Sequence, residues 1–236
     1  MAAPVTDAAI EAIRRLIISG ELPPGARLPA EAELAQELGM SRGTVREAVR
    51  ALVTARVLDV RRGDGTYVTS LRPELLLQGI GFVVDLIQDE WSLELIELRR
   101  ILEPAATALA ATRATEAELK EIGAALEDMR TARDQEELVQ HDARFHALVG
   151  AASGNRSLAS MLEGLSSRSI RARVWRGIID EDATRQTLAE HERIFAALQA
   201  RDEALSSAAA LTHVATSETW LRRFLRQEET PDPPTR

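Results

Sequence analysis

The 236-residue chain contains no cysteine. Disulfides, zinc-thiolate sites, iron-sulfur clusters and cysteine nucleophiles are therefore excluded, and any metal must be held by His, Asp or Glu. No apolar run reaches the roughly 18 to 20 residues that a membrane span requires. The N-terminal "MAAPVTDAAIEAIRRLI" lacks a charged segment followed by an apolar signal core. The expected location is thus cytoplasmic, with no membrane partner. Strand-like alternation is missing after Arg72. What is present is 45% hydrophobic residues, enough to supply a core for one large domain or two smaller ones.

Formal charge is −8 overall and unevenly spread. Residues 1–72 hold 10 Lys and Arg against 9 Asp and Glu, whereas the remainder holds 19 against 28. Between Ser41 and Arg62 there are six arginines and two acids. One short basic region in an acidic chain is the distribution expected when a small part touches a polyanion and the rest serves another purpose.

The spacing predicts a first helix over about Thr6 to Ser19, stopped by Gly20. In "ELPPGARLP" three prolines then forbid helix. A second helix runs from about Ala30 to Glu37, Gly39 breaks the chain, and Ser41 caps a third helix from Arg42 to about Ala55. Its buried stripe is Val45, Ala48, Val49 and Leu52. The alternation in "VLDVRRGDGTYVTS" around Gly63, Asp64 and Gly65 reads as a short hairpin. Two helices joined by a Gly-containing turn and followed by a two-stranded wing describe a winged helix-turn-helix.

With the apolar residues of the third helix on one face, Arg42, Arg46 and Arg50 fall at four-residue steps along another. Such a row can reach phosphates and base edges in a DNA major groove, where guanidinium holds guanine O6 and N7 bidentately. Ser41 and Thr44 place hydroxyls near the helix start, and Arg61 and Arg62 stand at the wing tip. A solvated arginine face on an amphipathic helix is the plain alternative. The wing, the proline turn and the basic cluster occurring together argue against it.

From Glu74 to Gln227 helix follows helix, with breaks expected near Asp89 to Ser92, Thr112 to Thr115, Ala132 to Gln135, Gly154 to Asn155, Asp180 to Thr184 and Arg201 to Asp202. The resulting fold class is mostly α: a winged helix-turn-helix in residues 1–71, then an all-α antiparallel bundle of about seven helices in residues 72–228. Residues 229–236, containing "TPDPPTR", read as a disordered tail.

Polar residues on apolar helical stripes demand a reason, because an unpaired buried polar group costs about 1 to 3 kcal/mol. Asp142 and His146 share one face at i,i+4, flanked by Leu138, Phe145 and Val149. His191 lies on the stripe of Leu188, Ile194, Phe195 and Leu198, and His213 lies among Ala209, Ala210 and Trp220. A single such histidine is usually a hydrogen-bonded core residue. Three with an inward carboxylate read better as a site for a divalent transition metal, whether Zn, Ni, Mn or Fe. His141 points away from Asp142 and is taken as a surface residue. Arg99 also faces inward, with Leu95, Ile96, Leu102 and Ala106. It is either an internal ion pair with Glu103, one turn on, or a clamp for the carboxylate of a small organic acid.

Two resemblances carry these readings further. "SGELPPGARLPAEAELAQELGMSRGTVREAVRAL" followed by "GDGTYV" resembles the DNA-binding domain of GntR-family bacterial transcription regulators. That resemblance implies DNA contacts at Ser41, Arg42, Thr44, Arg46, Arg62 and Gly63. Ala32 stands where relatives often carry a DNA-reading arginine, and Gly43 replaces a more usual Thr. "ELRRILEPAATALAA", "HDARFHALVGAASGN" and "LAEHERIFAAL" are similar to the FCD ligand-binding domain of the FadR branch. This implies a metal held by Asp142, His146, His191 and His213, with a carboxylate effector that meets the metal and Arg99.

The combined expectation is a homodimeric regulator, not an enzyme, that binds double-stranded operator DNA at an inverted repeat and acts as a repressor under control of a small organic acid. A metal-dependent hydrolase, and an effector-independent DNA-binding protein with a structural metal, are the alternatives.

Overall fold

The computed structural model describes residues 3–77, 91–165, 171, 174–175 and 181–229. The chain divides into two compact units, Met1–Leu76 and Leu77–Arg236. The expected tail falls almost wholly on residues 230–236, outside the described residues.

The first unit holds α1 (Ala3–Ile18), α2 (Glu31–Glu37), α3 (Arg42–Thr54), β1 (Leu58–Arg61), β2 (Gly65–Val68) and α4 (Pro73–Leu76). Helix α1 begins three residues before the expected Thr6. Its end is set by Gly20 at φ 84°, a left-handed conformation that costs glycine nothing. The N-cap of α2 is Ala30, which has no capping side chain; instead the Glu33 carboxylate accepts from the Ala30 N–H at 3.2 Å. Ser41 caps α3, its Oγ accepting from the Thr44 N–H at 3.1 Å. The buried residues of α3 are Val45, Ala48, Val49 and Leu52, the stripe that its periodicity specifies. They join Ala9, Ile13, Leu34, Leu58 and Val68 in one apolar core.

The hairpin pairs Leu58 with Val68 through Arg61 with Gly65, antiparallel. The proline segment proves to be more than a break. Arg27 bridges to Tyr67, and the Leu28 N–H donates to Thr66 O at 2.8 Å while the Val68 N–H donates to Ala26 O at 2.8 Å. A third extended stretch thus ties the wing to the helices. A Cβ at position 65 would stand 2.6 Å from Arg27 Nε, so any other residue there would push the Arg27 side chain aside.

The described part of the second unit holds α5 (Ser92–Arg113), α6 (Glu116–Arg130), α7 (Gln135–Ala152), α8 (Arg156–Leu165), α9 (Glu181–Gln199) and α10 (Glu203–Glu229). The breaks at 114–115, 131–134, 153–155 and 200–202 lie where turn and capping residues place them; Thr115 and Asp134 cap α6 and α7 through their side chains. The expected break at Asp180 to Thr184 is corrected, since α9 already runs from Glu181. Acidic residues that read as a turn sit instead in a first helical turn, where the macrodipole favours them. The break expected near Asp89 falls outside the described residues, as does most of the first of the seven expected helices.

Helix α5 packs along α10, α6 along α7, and α9 along α10. Gly123 lets α6 and α9 approach so closely that a Cβ there would lie 2.8 Å from Phe195 Cζ. One apolar cluster gathers α6 and α7 with Ile194 and Leu198; another gathers Leu95 and Ile96 with Val214 and Leu221. Among the described residues, no helix is long and apolar enough to cross a membrane.

Candidate metal centre and nucleic-acid interface

Helical periodicity turns Asp142 and His146 of α7, His191 of α9 and His213 of α10 inward. Their ligating atoms all lie within 4.8 Å of one another. Asp142, His191 and His213 are at most 3% exposed. His191 Nε2 stands 3.0 Å from Asp142 Oδ1 and 3.2 Å from His146 Nε2, and His146 Nε2 stands 3.6 Å from Asp142 Oδ1. In a tetrahedral site with metal-nitrogen distances of about 2.0 to 2.1 Å, neighbouring ligand atoms are about 3.3 Å apart. The observed spacings bracket that value. His141 is half-buried and outside the group.

The outward ring nitrogens explain why a cation suits this cluster. His191 Nδ1 lies 2.8 Å from Thr187 O, which can only accept, so Nδ1 carries a proton and Nε2 is the nitrogen turned toward Asp142 and His146. His213 Nδ1 lies 3.2 Å from the Glu190 carboxylate, which also accepts from Thr216 Oγ1 at 2.8 Å. His146 Nδ1 faces Glu103 Oε2 at 3.5 Å. Each histidine has an oxygen behind it, as metal-bound imidazoles do, so that one ring nitrogen is held from outside and the other is turned into the cluster. A group of this kind can hold a metal ion.

Burial and neighbouring charges shift several of these groups. Burial pushes the His146 imidazolium down to about 4, with the nearby Arg171 charge adding to the shift. Burial and the His191 ring push His213 down to about 3. Burial alone would raise Asp142, but Arg171 and the hydrogen bonds to His146 and His191 outweigh it and hold the carboxyl well below its ordinary range. Glu103 is likewise lowered: burial raises it, but Arg99, His146 and Arg171 together outweigh burial.

Arg99 is 1% exposed, and its Nε donates to Glu103 Oε1 at 2.6 Å. The ion pair is therefore present, yet Arg99 Nη2 is buried without a hydrogen-bond partner. Two further members escaped sequence reasoning. Arg171 donates from Nη1 to Asp142 Oδ2 at 2.7 Å and is 3% exposed. In "SSRSIRARVW" it is one of several arginines, and no periodicity singles it out. Glu190 adjoins His191 in sequence but serves His213 on another helix. A cavity of about 280 Å³ reaches this cluster, bordered by Glu103, Thr107, His146, Val149, Leu162 and Arg171.

In the first unit Arg42, Arg46 and Arg50 share the exposed side of α3. Arg46 Nε donates to Glu31 Oε2 of α2 at 2.9 Å, and Arg50 Nη1 donates to Glu47 Oε1 at 2.9 Å. Ser41 is engaged as the helix cap and touches Thr44 Oγ1 at 2.9 Å, so its hydroxyl serves the fold first. Arg62 and Gly63 are exposed at the hairpin tip, where Gly63 adopts φ 77°. Arg61 lies 4.0 Å over the Tyr67 ring.

Comparison with known proteins places these geometries. The model for bacterial regulatory proteins of the gntR family matches residues 5–68, and that for the FCD domain matches residues 94–216. The chain belongs to the GntR family. This GntR-family protein is 33% identical over 226 residues to the galactonate operon transcriptional repressor of Escherichia coli (strain K12), covering 93% of this chain and 97% of that one. It is 31% identical over 219 residues to the HTH-type transcriptional regulator LutR of Bacillus subtilis (strain 168), covering 90% and 99%. The solved structure of Streptococcus agalactiae GntR superposes with a TM-score of 0.63 at 31% identity, covering 91% of this chain and 99% of that one. The protein is a transcription regulator of a family that binds operator DNA, and the hydrolase alternative falls.

Proposed function

We propose that this GntR-family regulator represses its operator as a homodimer and is controlled by a small organic acid bound at a metal centre in the FCD domain, as in the FadR branch. Residues 1–71 are the DNA-binding domain and residues 72–228 the effector and dimerisation domain, in the cytoplasm. DNA is met by Ser41, Arg42, Thr44, Arg46, Arg50, Arg62 and Gly63, on the recognition helix and wing tip. Asp142, His146, His191 and His213 hold a divalent transition ion, Zn, Ni, Mn or Fe. Such an ion, once bound, would supply a positive charge able to attract a carboxylate. Arg99 carries the acid's charge through its unpartnered Nη2.

The observation that carries this reading is the ring of potential ligand atoms within 4.8 Å of one another, each histidine backed by an oxygen, beside a cavity that a small acid can fill. Repression is supported by the galactonate operon repressor among the relatives. The coupling between effector and operator is on the order of 1 to 3 kcal/mol. Two experiments test the proposal. Selection from random DNA with metal-loaded protein should return an inverted repeat; single half-sites alone would overturn the dimer. A thermal-shift screen of small organic acids on the same protein should yield a stabilising acid that weakens operator binding. The reading with a structural metal and no effector predicts that no acid changes operator affinity.

A further inference from the structure

Asp64 is a carboxylate at the exposed tip of the wing, next to Arg62 and Gly63, the residues proposed above to touch DNA. An anion there faces phosphates, and like charges brought together across an interface cost affinity unless the anion gains a specific partner. The structure holds this one from several sides. Its N–H donates to Arg61 O at 3.0 Å, its carbonyl oxygen accepts from Arg27 Nη2, and its Oδ2 accepts from the Tyr67 hydroxyl at 2.9 Å. Gly65 has no side chain to block Arg27 on its way to that carbonyl. The bond to Asp64 raises the Tyr67 hydroxyl above its ordinary value, so Tyr67 remains the donor.

Arg61 is drawn back from the tip: its guanidinium lies 4.0 Å over the Tyr67 ring and its Nε is 3.9 Å from Asp59 Oδ2. The foremost charges are then Arg62 and Asp64, of opposite sign, on either side of Gly63. With Oδ2 of Asp64 committed to Tyr67, Oδ1 is the oxygen left to meet a partner, and among the described residues no hydrogen bond engages it. A minor groove about 6 Å wide admits a turn led by glycine where it would not admit a helix. Its floor distinguishes A·T from G·C in one way only: both show acceptors, and G·C adds the guanine N2 amino donor. An outward carboxylate oxygen can bond to that donor and can only repel adenine N3 and thymine O2. Narrow A-tracts sharpen the contrast, because their minor groove is the more negative.

Resting on the wing-tip contact proposed above, we propose that Asp64 is a specificity-determining residue of the wing: it makes the tip select G·C pairs and reject A·T pairs in the operator segment that it enters. Tyr67 is its positioning residue. Arg62 supplies attraction to phosphate without choosing a base, and the recognition helix reads the major groove independently.

The test selects binding sites from random DNA with full-length protein at fixed salt, for wild type and Asp64→Asn, and then replaces single guanines of the wild-type consensus by inosine. Inosine keeps O6 and N7 in the major groove and lacks only the minor-groove amino group. Wild type should select G·C outside the recognition-helix contacts and lose about ten-fold in affinity on inosine there. Asp64→Asn keeps an oxygen for Tyr67 and turns an amide N–H outward, a donor that suits adenine N3 and thymine O2. It should lose the inosine penalty and select A·T at those positions, while its preferences at the recognition-helix positions and its thermal midpoint stay as in wild type. Tyr67→Phe, which removes only the hydroxyl, should reduce the penalty about three-fold. A·T at the tip positions in the wild-type selection, no inosine penalty, or a penalty that survives in Asp64→Asn would overturn the inference. Arg62→Ala separates it from the reading beneath it. Unchanged affinity in that variant would remove the wing contact, and this inference with it; weakened binding upholds the contact, so that a failure at Asp64 falls on the inference alone.

Discussion

Arginine does opposite work in the two units. On α3 the side chain of Arg46 is 54% exposed and that of Arg50 70%, each in an ion pair that water screens. In the helical unit Arg99 and Arg171 are 1% and 3% exposed, and each is fixed by a carboxylate. The first arrangement leaves guanidinium free to exchange a weak internal partner for phosphate or a base. The second makes each charge part of the fold, and only the few donors left over are available to a ligand. The same residue type is thus a recognition group where it is wet and a structural group with a spare contact where it is dry.

The contrast can be broken most forcefully from the buried side. Arg99→Met removes the guanidinium that pairs with Glu103 at 2.6 Å inside the bundle, and a cost of about 3 to 5 kcal/mol in unfolding free energy is expected by chemical denaturation. Retention of full stability would mean that the pair contributes little. If the folded fraction of this variant still responds to the acid, Arg99 acts on the fold alone.

Next come the metal ligands. His146→Ala, His191→Ala and His213→Ala should each lower metal content, read by elemental analysis, and thermal midpoint together. Full occupancy in all three would falsify the metal centre.

Metal-free protein should also lose stability in acid. The folded-state values of His146 and His213, about 4 and about 3, lie below the ordinary value of 6.5 for the unfolded chain. The unfolded state therefore takes up protons first. Stability is complete above about pH 6.5 and falls as pH drops toward 4 and then 3. A flat denaturation midpoint across that window would show that these rings are not held neutral.

Smaller effects belong to the exposed side. Arg46→Ala should cost about 1 to 3 kcal/mol of operator affinity in a salt-controlled titration, with little change in fold. Its partner sharpens the point: Glu31→Gln frees Arg46 from a screened pair, so stability should change by no more than about 1 kcal/mol. A large loss of stability in Glu31→Gln would recast Arg46 as a brace between α2 and α3.

Much of this was legible in the chain. Stripes of period 3.6 gave the inward direction of Asp142, His146, His191 and His213, because a helix fixes which side chains share a face. Ser41, Gly39 and Gly63 marked the turns of the DNA-binding unit through local chemistry alone. The pairing of Ala26 to Leu28 with β2 was not legible, because prolines report only what they forbid. The early start of α9 was misread, because acidic residues serve turns and first helical turns equally well.

What the sequence determined by itself was therefore everything governed by neighbours one helical turn apart: the helices, the wing, the exposed arginine row and the inward polar residues. Only the tertiary structure decided that three separate helices bring those polar residues to within ligand distance of each other. It alone set Glu190 behind His213 and turned Arg171 against Asp142. The physical reason is that a helix's periodicity fixes a direction, whereas a buried charge is stable only beside a specific partner. For Glu190 with His213, Arg171 with Asp142 and His191 with Asp142, that partner lies 23, 29 and 49 residues away along the chain.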